Sequence, residues 1–174
     1  MQTWTTTPPD LSEYAPYYRT YTSKVPSGNI LDILSHQLDT ALQVLGGVPP
    51  DRETFRYAPD KWSIREVVGH LADTERVFAL RALAFARSDP HAFPAMEQDD
   101  YVAVAGFDAR PLSELIEEFS HQRKSNVVLF RSFDDETAAR AGTASGVRFT
   151  ARCIPYIMAG HVVHHLAVLR ERYL

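Results

Sequence analysis

The chain has 174 residues, 45% of them hydrophobic, and its 22 acidic and 18 basic residues give a formal net charge of −4, which allows one ordinary domain with a sizeable core. The acidic balance and the lack of a lysine- or arginine-rich run argue against nucleic acid as a partner, and the single cysteine, Cys153, excludes an internal disulfide framework. Since no apolar stretch reaches roughly 20 residues and MQTWTTTPPD lacks the pattern of a secretory signal, we expect a cytoplasmic protein with no membrane partner.

The first 26 residues differ in composition from the rest of the chain. Residues 1–26 contain Pro8, Pro9, Pro16 and Pro26 among five aromatic residues. Because proline restricts the residue before it and does not continue a helix, this composition predicts an ordered but irregular arm that packs on a surface.

Two helices are predicted in the next part of the chain. Apolar residues recur at three- and four-residue spacing from Ser27 until Gly46-Gly47, which predicts the first helix. The second predicted helix begins at Ser63, because Ser63 and Glu66 have the spacing of a capping box. Its apolar periodicity continues to the segment SDPHAFP, in which two prolines end the helix.

A long connection and two further helices follow. Residues 88–110 are too many for an ordinary loop, so we expect this connection to be functional or to pack over other elements. The third predicted helix has Pro111 in its first turn. The fourth includes IPYIMAGHVVHHLAVLRERYL, with Pro155 in its first turn or at a kink, and Ser145-Gly146 before it is predicted to be a turn. Four amphipathic helices with one long crossover predict an all-α four-helix bundle.

Three histidines lie close together on the fourth predicted helix. At about 100° per residue, His161 and His165 fall within the apolar face of this helix, and His164 falls at its edge. Spacing alone permits the pairs 161/164 and 161/165, and the apolar face favours the second. Two buried imidazoles one turn apart need polar partners that aliphatic neighbours do not supply, and a shared cation would satisfy both. This pattern indicates a metal site.

A third ligand is expected from the second predicted helix. His70 lies in the body of that helix, beside Val67 and Thr74. Three imidazoles without a sulfur ligand would leave one coordination position for water or substrate, which is the arrangement of a reactive site. The alternative is that the three histidines only form hydrogen bonds with backbone, carboxylate groups or water.

The other histidines and the cysteine are not predicted to be ligands. His36 and His121 fall on polar helix faces and His91 lies in the proline-rich connection, so all three are expected to be exposed. Cys153 lies two turns before His161, too far along the helix to share its coordination sphere. We expect Cys153 to be a small core or boundary residue.

Three separated segments of the chain resemble one known family. They are YAPDKWSIREVVGHLADTERVFALRALAFARSD, PAMEQDDYV and AGHVVHHLAVLRERYL, and together they resemble the DinB-like, YfiT-related metalloenzymes. The likeness covers most of the chain, so residues 1–174 are predicted to form a single DinB-like domain with the arm at 1–26. The resemblance implies an up-down-down-up four-helix bundle, often a homodimer, that holds one divalent cation per chain. The ligand positions of the family correspond to His70, His161 and His165.

The acidic part of the long connection departs from the family pattern. Relatives tend to have an aspartate where this chain has Glu97 in MEQDD. The resemblance therefore implies no role for Glu97, Asp99 or Asp100, and exposed, solvated side chains are expected there.

Three functions agree with these features. Characterised relatives use a low-molecular-weight thiol such as bacillithiol or mycothiol, which implies a metal-dependent thiol S-transferase that acts on an electrophilic small molecule, with zinc, nickel or iron as the metal. One alternative is a metal-dependent hydrolase of a small amide or ester, which needs a general base. Glu75 is a candidate base, although we expect it to pair with an arginine such as Arg81 or Arg170, or to support a ligand histidine. The other alternative is a non-catalytic bundle that binds a small molecule or a partner.

Overall fold

The computed structural model describes residues 2–174, most of which are helical. The helices and strands in chain order are α1 (Arg19–Thr22), α2 (Ile30–Gly46), α3 (Ile64–Ala86), α4 (Gln98–Ala105), α5 (Leu112–Arg131), α6 (Asp135–Ala139), β1 (Ala141–Ala144), β2 (Val147–Thr150) and α7 (Cys153–Arg172). The four long helices α2, α3, α5 and α7 form the predicted bundle. Among the described residues, no helix has the length and apolar character that crossing a bilayer requires.

The long helices follow an up-down-down-up course. The first halves of α2 and α7 and the second halves of α3 and α5 share one apolar cluster, and the opposite halves share another. Around the bundle the order is α2, α5, α3, α7, so α3 and α5 are parallel neighbours. Parallel neighbours cannot be joined by a short turn, which explains the long crossover between them.

A polar layer separates the two apolar clusters in the middle of the bundle. Each long helix contributes to both clusters and places interior polar side chains near the boundary between them. These side chains are Gln37, His70, Thr74, Glu75, Ser120, Arg123, Asn126 and His161. The middle of the bundle is therefore held by hydrogen bonds and charges, where an ordinary core would have apolar packing.

The N-terminal arm is ordered, as predicted, and forms three single 3₁₀ turns and the short helix α1. Trp4 is buried, and its indole Nε1 donates a hydrogen bond to the Phe133 carbonyl at 3.0 Å. Helix α1 lies directly on α7, since a Cβ atom at Gly160 would lie 2.0 Å from the carbonyl oxygen of Tyr21. The arm is thereby brought next to His161. Met1, which belongs to the predicted arm, lies outside the described residues.

The crossover and the segment before α7 contain structure that the sequence analysis did not predict. Helix α4 occupies the second half of the crossover and ends at Gly106, which has a φ of 66°. The turn at Ser145 and Gly146 is confirmed, but it joins β1 and β2 in an antiparallel hairpin. Both turn residues have positive φ, as a two-residue hairpin turn requires. The hairpin was missed because the β1 sequence, AGTA, lacks the alternation of apolar and polar residues that predicts a strand.

The predicted helix starts agree with the structure to within a few residues. The Ser63 side chain accepts a hydrogen bond from the Glu66 backbone and the Glu66 carboxylate accepts one from the Ser63 backbone, so the capping box of α3 is confirmed. Pro111 is the residue before α5, one position earlier than predicted. Pro155 lies in the first turn of α7.

Candidate metal centre

Three histidines from two helices meet at the polar layer. His70 is on α3, and His161 and His165 are one turn apart on α7. The Nε2 atoms of His70 and His161 are 3.1 Å apart, and those of His161 and His165 are 3.0 Å apart. One nitrogen from each ring lies within 4.8 Å of the other two. The structure therefore brings together the three side chains that the sequence singled out.

Burial keeps these imidazoles neutral. His70 and His161 are almost fully buried, and His165 is partly buried. Burial lowers the pKa of His70 to about 4. Burial, followed by the proximity of the other rings, lowers the pKa of His161 and of His165 well below the usual value. A neutral imidazole has the free lone pair that a metal ion binds.

Aromatic and hydroxyl groups surround the three rings. The Trp62 ring centroid is 4.8 Å from that of His70, and the Tyr21 ring meets His161 edge-on at 5.4 Å. The Thr74 hydroxyl lies 3.5 Å from the ring nitrogens of His70, one turn earlier on the same helix. These contacts restrict the orientation of the rings without supplying a charged neighbour.

His164 lies outside the cluster. It is half-buried, with its ring centroid 5.1 Å from that of His165 and 5.7 Å from that of Tyr21. Of the two pairs that the spacing permitted, His161 and His165 is therefore the pair that meets His70. His164 does not, because only the residue one full turn after His161 faces α3.

Glu75 forms a buried ion pair with α5. Its Oε1 accepts two hydrogen bonds from Arg123, at 2.6 and 3.1 Å, and its Oε2 accepts one from Asn126 at 2.8 Å. Arg123 is fully buried and also donates to Gln37 on α2 at 2.8 Å. Gln37 in turn donates to the Ala159 carbonyl on α7 at 2.8 Å, so the network joins all four long helices beside the histidines.

Glu75 pairs with an arginine, as expected, but the two arginines named as examples are wrong. Arg81 donates instead to the carbonyl of Pro94 at 2.8 Å, and Arg170 is exposed near the end of α7. Glu75 faces α5, so the arginine it meets comes from that helix. Glu75 is buried in this ion pair and lines neither of the two cavities next to the histidines, so it is not placed to act as a general base on a bound substrate.

Two cavities border the histidine cluster. The first, of about 490 Å³, includes His70 and His161 in its wall, and the second, of about 680 Å³, includes His164 and His165. The first residues of α4, Gln98 and Asp99, line both. Both volumes are within the range of small-molecule sites.

The acidic residues of the crossover are exposed, as expected. Glu97, Asp99 and Asp100 nevertheless all line the first cavity. They give the mouth of this cavity a negative charge, which the sequence alone did not indicate.

The remaining candidates lie where the sequence placed them. His36, His91 and His121 are exposed. Cys153 is fully buried, its thiol donates to the Thr150 carbonyl at 3.1 Å, and burial raises its pKa to about 12. None of the four belongs to the cluster.

The three rings fit a metal ion. A tetrahedral ion with bonds of about 2.0–2.1 Å to nitrogen separates its ligands by roughly 3.3 Å, close to the 3.0 and 3.1 Å found for two of the three pairs, and the third pair lies within 4.8 Å. The Nε2 of His161 faces two other ring nitrogens but has only one hydrogen or one lone pair to offer, so hydrogen bonds alone do not satisfy the cluster. Among residues 2–174, no other set of three histidine, cysteine or acidic side chains is gathered as closely.

A sequence model of the DinB superfamily matches residues 33–169 of the chain. The match includes all four long helices for most of their length and all three histidines. The chain belongs to the DinB superfamily. Comparison of this DinB-superfamily protein with curated proteins gives no match.

The solved structure of YfiT from Bacillus subtilis has a similar fold. It is 16% identical in sequence and superimposes with a TM-score of 0.70, over 95% of this chain and 90% of that chain. YfiT is described as a probable metal-dependent hydrolase with an unusual four-helix bundle topology. At this identity, the similarity establishes the bundle fold of this DinB-superfamily protein.

Two residues near the cluster were not placed beside it by the sequence analysis. Arg123 lies four residues after Phe119 and seven before Phe130, on the apolar face of α5. A charged residue at that spacing is a detectable sign of a buried ion pair. Tyr21 had no such sign, because its place beside His161 depends on how the arm docks on α7.

Proposed function

We propose that this DinB-superfamily protein is a metal-dependent transferase that joins a low-molecular-weight thiol, of the bacillithiol type, to an electrophilic small molecule. The observation that carries the proposal is the convergence of three neutral imidazoles, those of His70, His161 and His165, beside two cavities. We propose these three side chains as the ligands of one divalent ion per chain, zinc, nickel or iron, which nitrogen ligands suit.

The chemistry follows from the ligand set. With three protein ligands, the ion would keep a position for a thiol and lower its pKa, so that the thiol reacts as a thiolate at neutral pH. The sulfur would then form a bond with the electrophilic carbon while the leaving group departs. No protein nucleophile is needed, which agrees with the burial of Cys153 away from the cluster.

The chain's own residues would position the substrates. Trp62 and Tyr21 pack against the histidine rings and limit their contact with water. Gln98 and Asp99 stand between the two cavities. Two cavities at one cluster suit a reaction of two small molecules better than a reaction of one.

The activity test uses metal-loaded protein, a panel of thiols and the electrophile monochlorobimane. We expect fluorescent conjugate to form faster than in the uncatalysed reaction, and this excess to be lost in His161→Ala. His164→Ala is the matched control, since it removes a histidine from the same helix but not from the cluster. A parent protein no faster than the uncatalysed rate with every thiol would refute the transferase.

The metal site is tested separately by elemental analysis of gently purified protein. We expect about one ion per chain in the parent and in His164→Ala, and a small fraction of that in His161→Ala. Equal metal in all three proteins would show that the cluster is not the metal site.

A metal-dependent hydrolase of a small amide or ester is the second candidate. It is favoured by the description of YfiT, and we propose Asp99, a residue that lines both cavities, as the base that would accept a proton from water. Hydrolysis of p-nitrophenyl acetate that needs the metal but no thiol, and that is lost in Asp99→Asn, would establish this function in place of transfer.

The third candidate is a non-catalytic bundle that binds a small molecule or a partner. It would be favoured by inactivity in both assays together with absence of metal.

We also propose that the protein is a homodimer, as the resemblance implies. Sedimentation velocity over a range of concentrations tests this, and a single monomeric species would contradict it.

A further inference from the structure

Arg81, on the C-terminal half of α3, is a buried cation without an anionic partner. Its exposed fraction is 4%, and no carboxylate oxygen of residues 2–174 lies within 4.0 Å of its nitrogens. The fully buried Arg123, by contrast, meets Glu75 at 2.6 Å. Because burying an unpaired charge costs free energy, a position that keeps one is a candidate for binding an anion.

The guanidinium of Arg81 has unused donors that face a cavity. Of its five N–H groups, one donates to the carbonyl of Pro94, and the Tyr18 hydroxyl, a neutral group, is a second hydrogen-bonding neighbour. In the described part of the chain, every fully buried side-chain nitrogen or oxygen has a hydrogen-bond partner. The remaining nitrogens of Arg81 are therefore not fully buried, and Arg81 lines the first cavity, of about 490 Å³.

This cavity extends along α3 from the histidines to the guanidinium. His70, Thr74, Phe78 and Arg81 all line it and are spaced four, four and three residues apart, so they share one face of the helix. Arg81 follows His70 by three turns, roughly 16 Å along the axis. Tyrosines of the arm, among them Tyr18, complete the wall.

We propose that Arg81 binds a carboxylate group of the small molecule whose reacting atom lies at the histidines. The planar guanidinium forms paired hydrogen bonds with carboxylate and phosphate alike. The same cavity is lined by Glu97, Asp99 and Asp100, which repel a dianionic phosphate more strongly than a singly charged carboxylate. The part of the proposal that concerns the reacting atom rests on the proposed function above, whereas the anion site does not.

The test measures anion binding to metal-free protein, so that no bound metal competes for the anion. Chelated protein is titrated calorimetrically with sodium butyrate and, separately, with inorganic phosphate, both at constant ionic strength. We expect saturable binding of butyrate, weaker binding of phosphate, and a loss of about tenfold or more in butyrate affinity in Arg81→Met, as for a hydrogen bond to a charged group. Arg87→Met is the matched control, because Arg87 is exposed just after α3, and it should bind as the parent does.

Four outcomes would overturn the proposal. Tighter binding of phosphate than of butyrate would refute the carboxylate assignment, and absence of binding in the parent, or equal binding in Arg81→Met, would refute the site. If Arg81→Met fails to fold, Arg81→Lys decides: we expect weaker butyrate binding at an unchanged melting temperature, and unchanged binding would refute the site. Since this test needs neither metal nor turnover, its failure is distinguishable from a failure of the proposed transferase.

Discussion

The buried pair of Glu75 and Arg123 places two opposite charges in the interior of the bundle. Removing one partner leaves the other charge uncompensated. We expect Arg123→Met to lower the free energy of unfolding by about 3–5 kcal/mol, as measured by urea denaturation of metal-free protein.

The double variant Glu75→Leu/Arg123→Met is the control for this prediction. It removes both charges, so we expect it to recover most of the lost stability. A single variant within about 1 kcal/mol of the parent, a loss typical of exposed pairs, would show that the interior around Glu75 is more hydrated than the structure indicates.

Cys153 is expected to be chemically inert in the folded protein. It is fully buried, and burial raises its pKa to about 12, so that at pH 8 almost none of it is the reactive thiolate. Mass spectrometry after iodoacetamide treatment should show no alkylation of native protein and complete alkylation in guanidinium chloride. Rapid alkylation of the native protein would mean that the start of α7 opens readily. The Cys153 thiol would then also react with monochlorobimane in the activity test.

The contact between α1 and α7 depends on the absence of a side chain at Gly160. A Cβ atom there would lie 2.0 Å from the backbone oxygen of Tyr21, so α1 must move away from α7 in Gly160→Ala. We expect a loss of about 1–3 kcal/mol, the usual cost of overpacking, and faster proteolysis of the arm in limited digestion.

Gly46→Ala is the matched control for the Gly160 substitution. Gly46 also lies in a long helix, as the last residue of α2, but a Cβ atom there would have no neighbour within 4 Å. This variant should be as stable as the parent or slightly more so, because alanine favours a helix over glycine. Equal behaviour of the two variants would mean that the arm is not held by this contact.

The bundle as a whole should be stabilised by the metal. The histidines of the cluster belong to α3 and α7, so an ion bound there would join these two helices. His70 and His161 are 91 residues apart in the chain. At a free metal concentration 100 times the dissociation constant, mass action supplies about 2.7 kcal/mol, and for a chain of this size the melting temperature should rise by roughly 5–10 °C.

Differential scanning fluorimetry with zinc, nickel or a chelator measures this shift. His164→Ala should show the same rise as the parent, and His161→Ala should show little or none. A rise of equal size in His161→Ala would place the stabilising metal elsewhere on the protein.

Local sequence rules were enough for the four long helices and for the histidines. The capping box at Ser63, the apolar periodicity of the four long helices and the i,i+4 pair of His161 and His165 are all set by contacts within one or two turns. Such contacts follow from helix geometry, so the sequence alone predicted the bundle and the histidines that the structure brings together. The resemblance of three segments to known proteins predicted membership of the DinB superfamily, and the match over residues 33–169 confirms it.

The features that depend on distant parts of the chain were decided only by the tertiary structure. Glu75 meets Arg123, 48 residues later, in place of the nearer arginine at position 81, because α5 is the helix that packs on that face. The same packing leaves Arg81 without an anion beside a cavity, and brings Tyr21 of the arm to the histidines. A local pattern shows which face of a helix is buried, but the partner of that face depends on the order of helices around the bundle, which long-range packing sets.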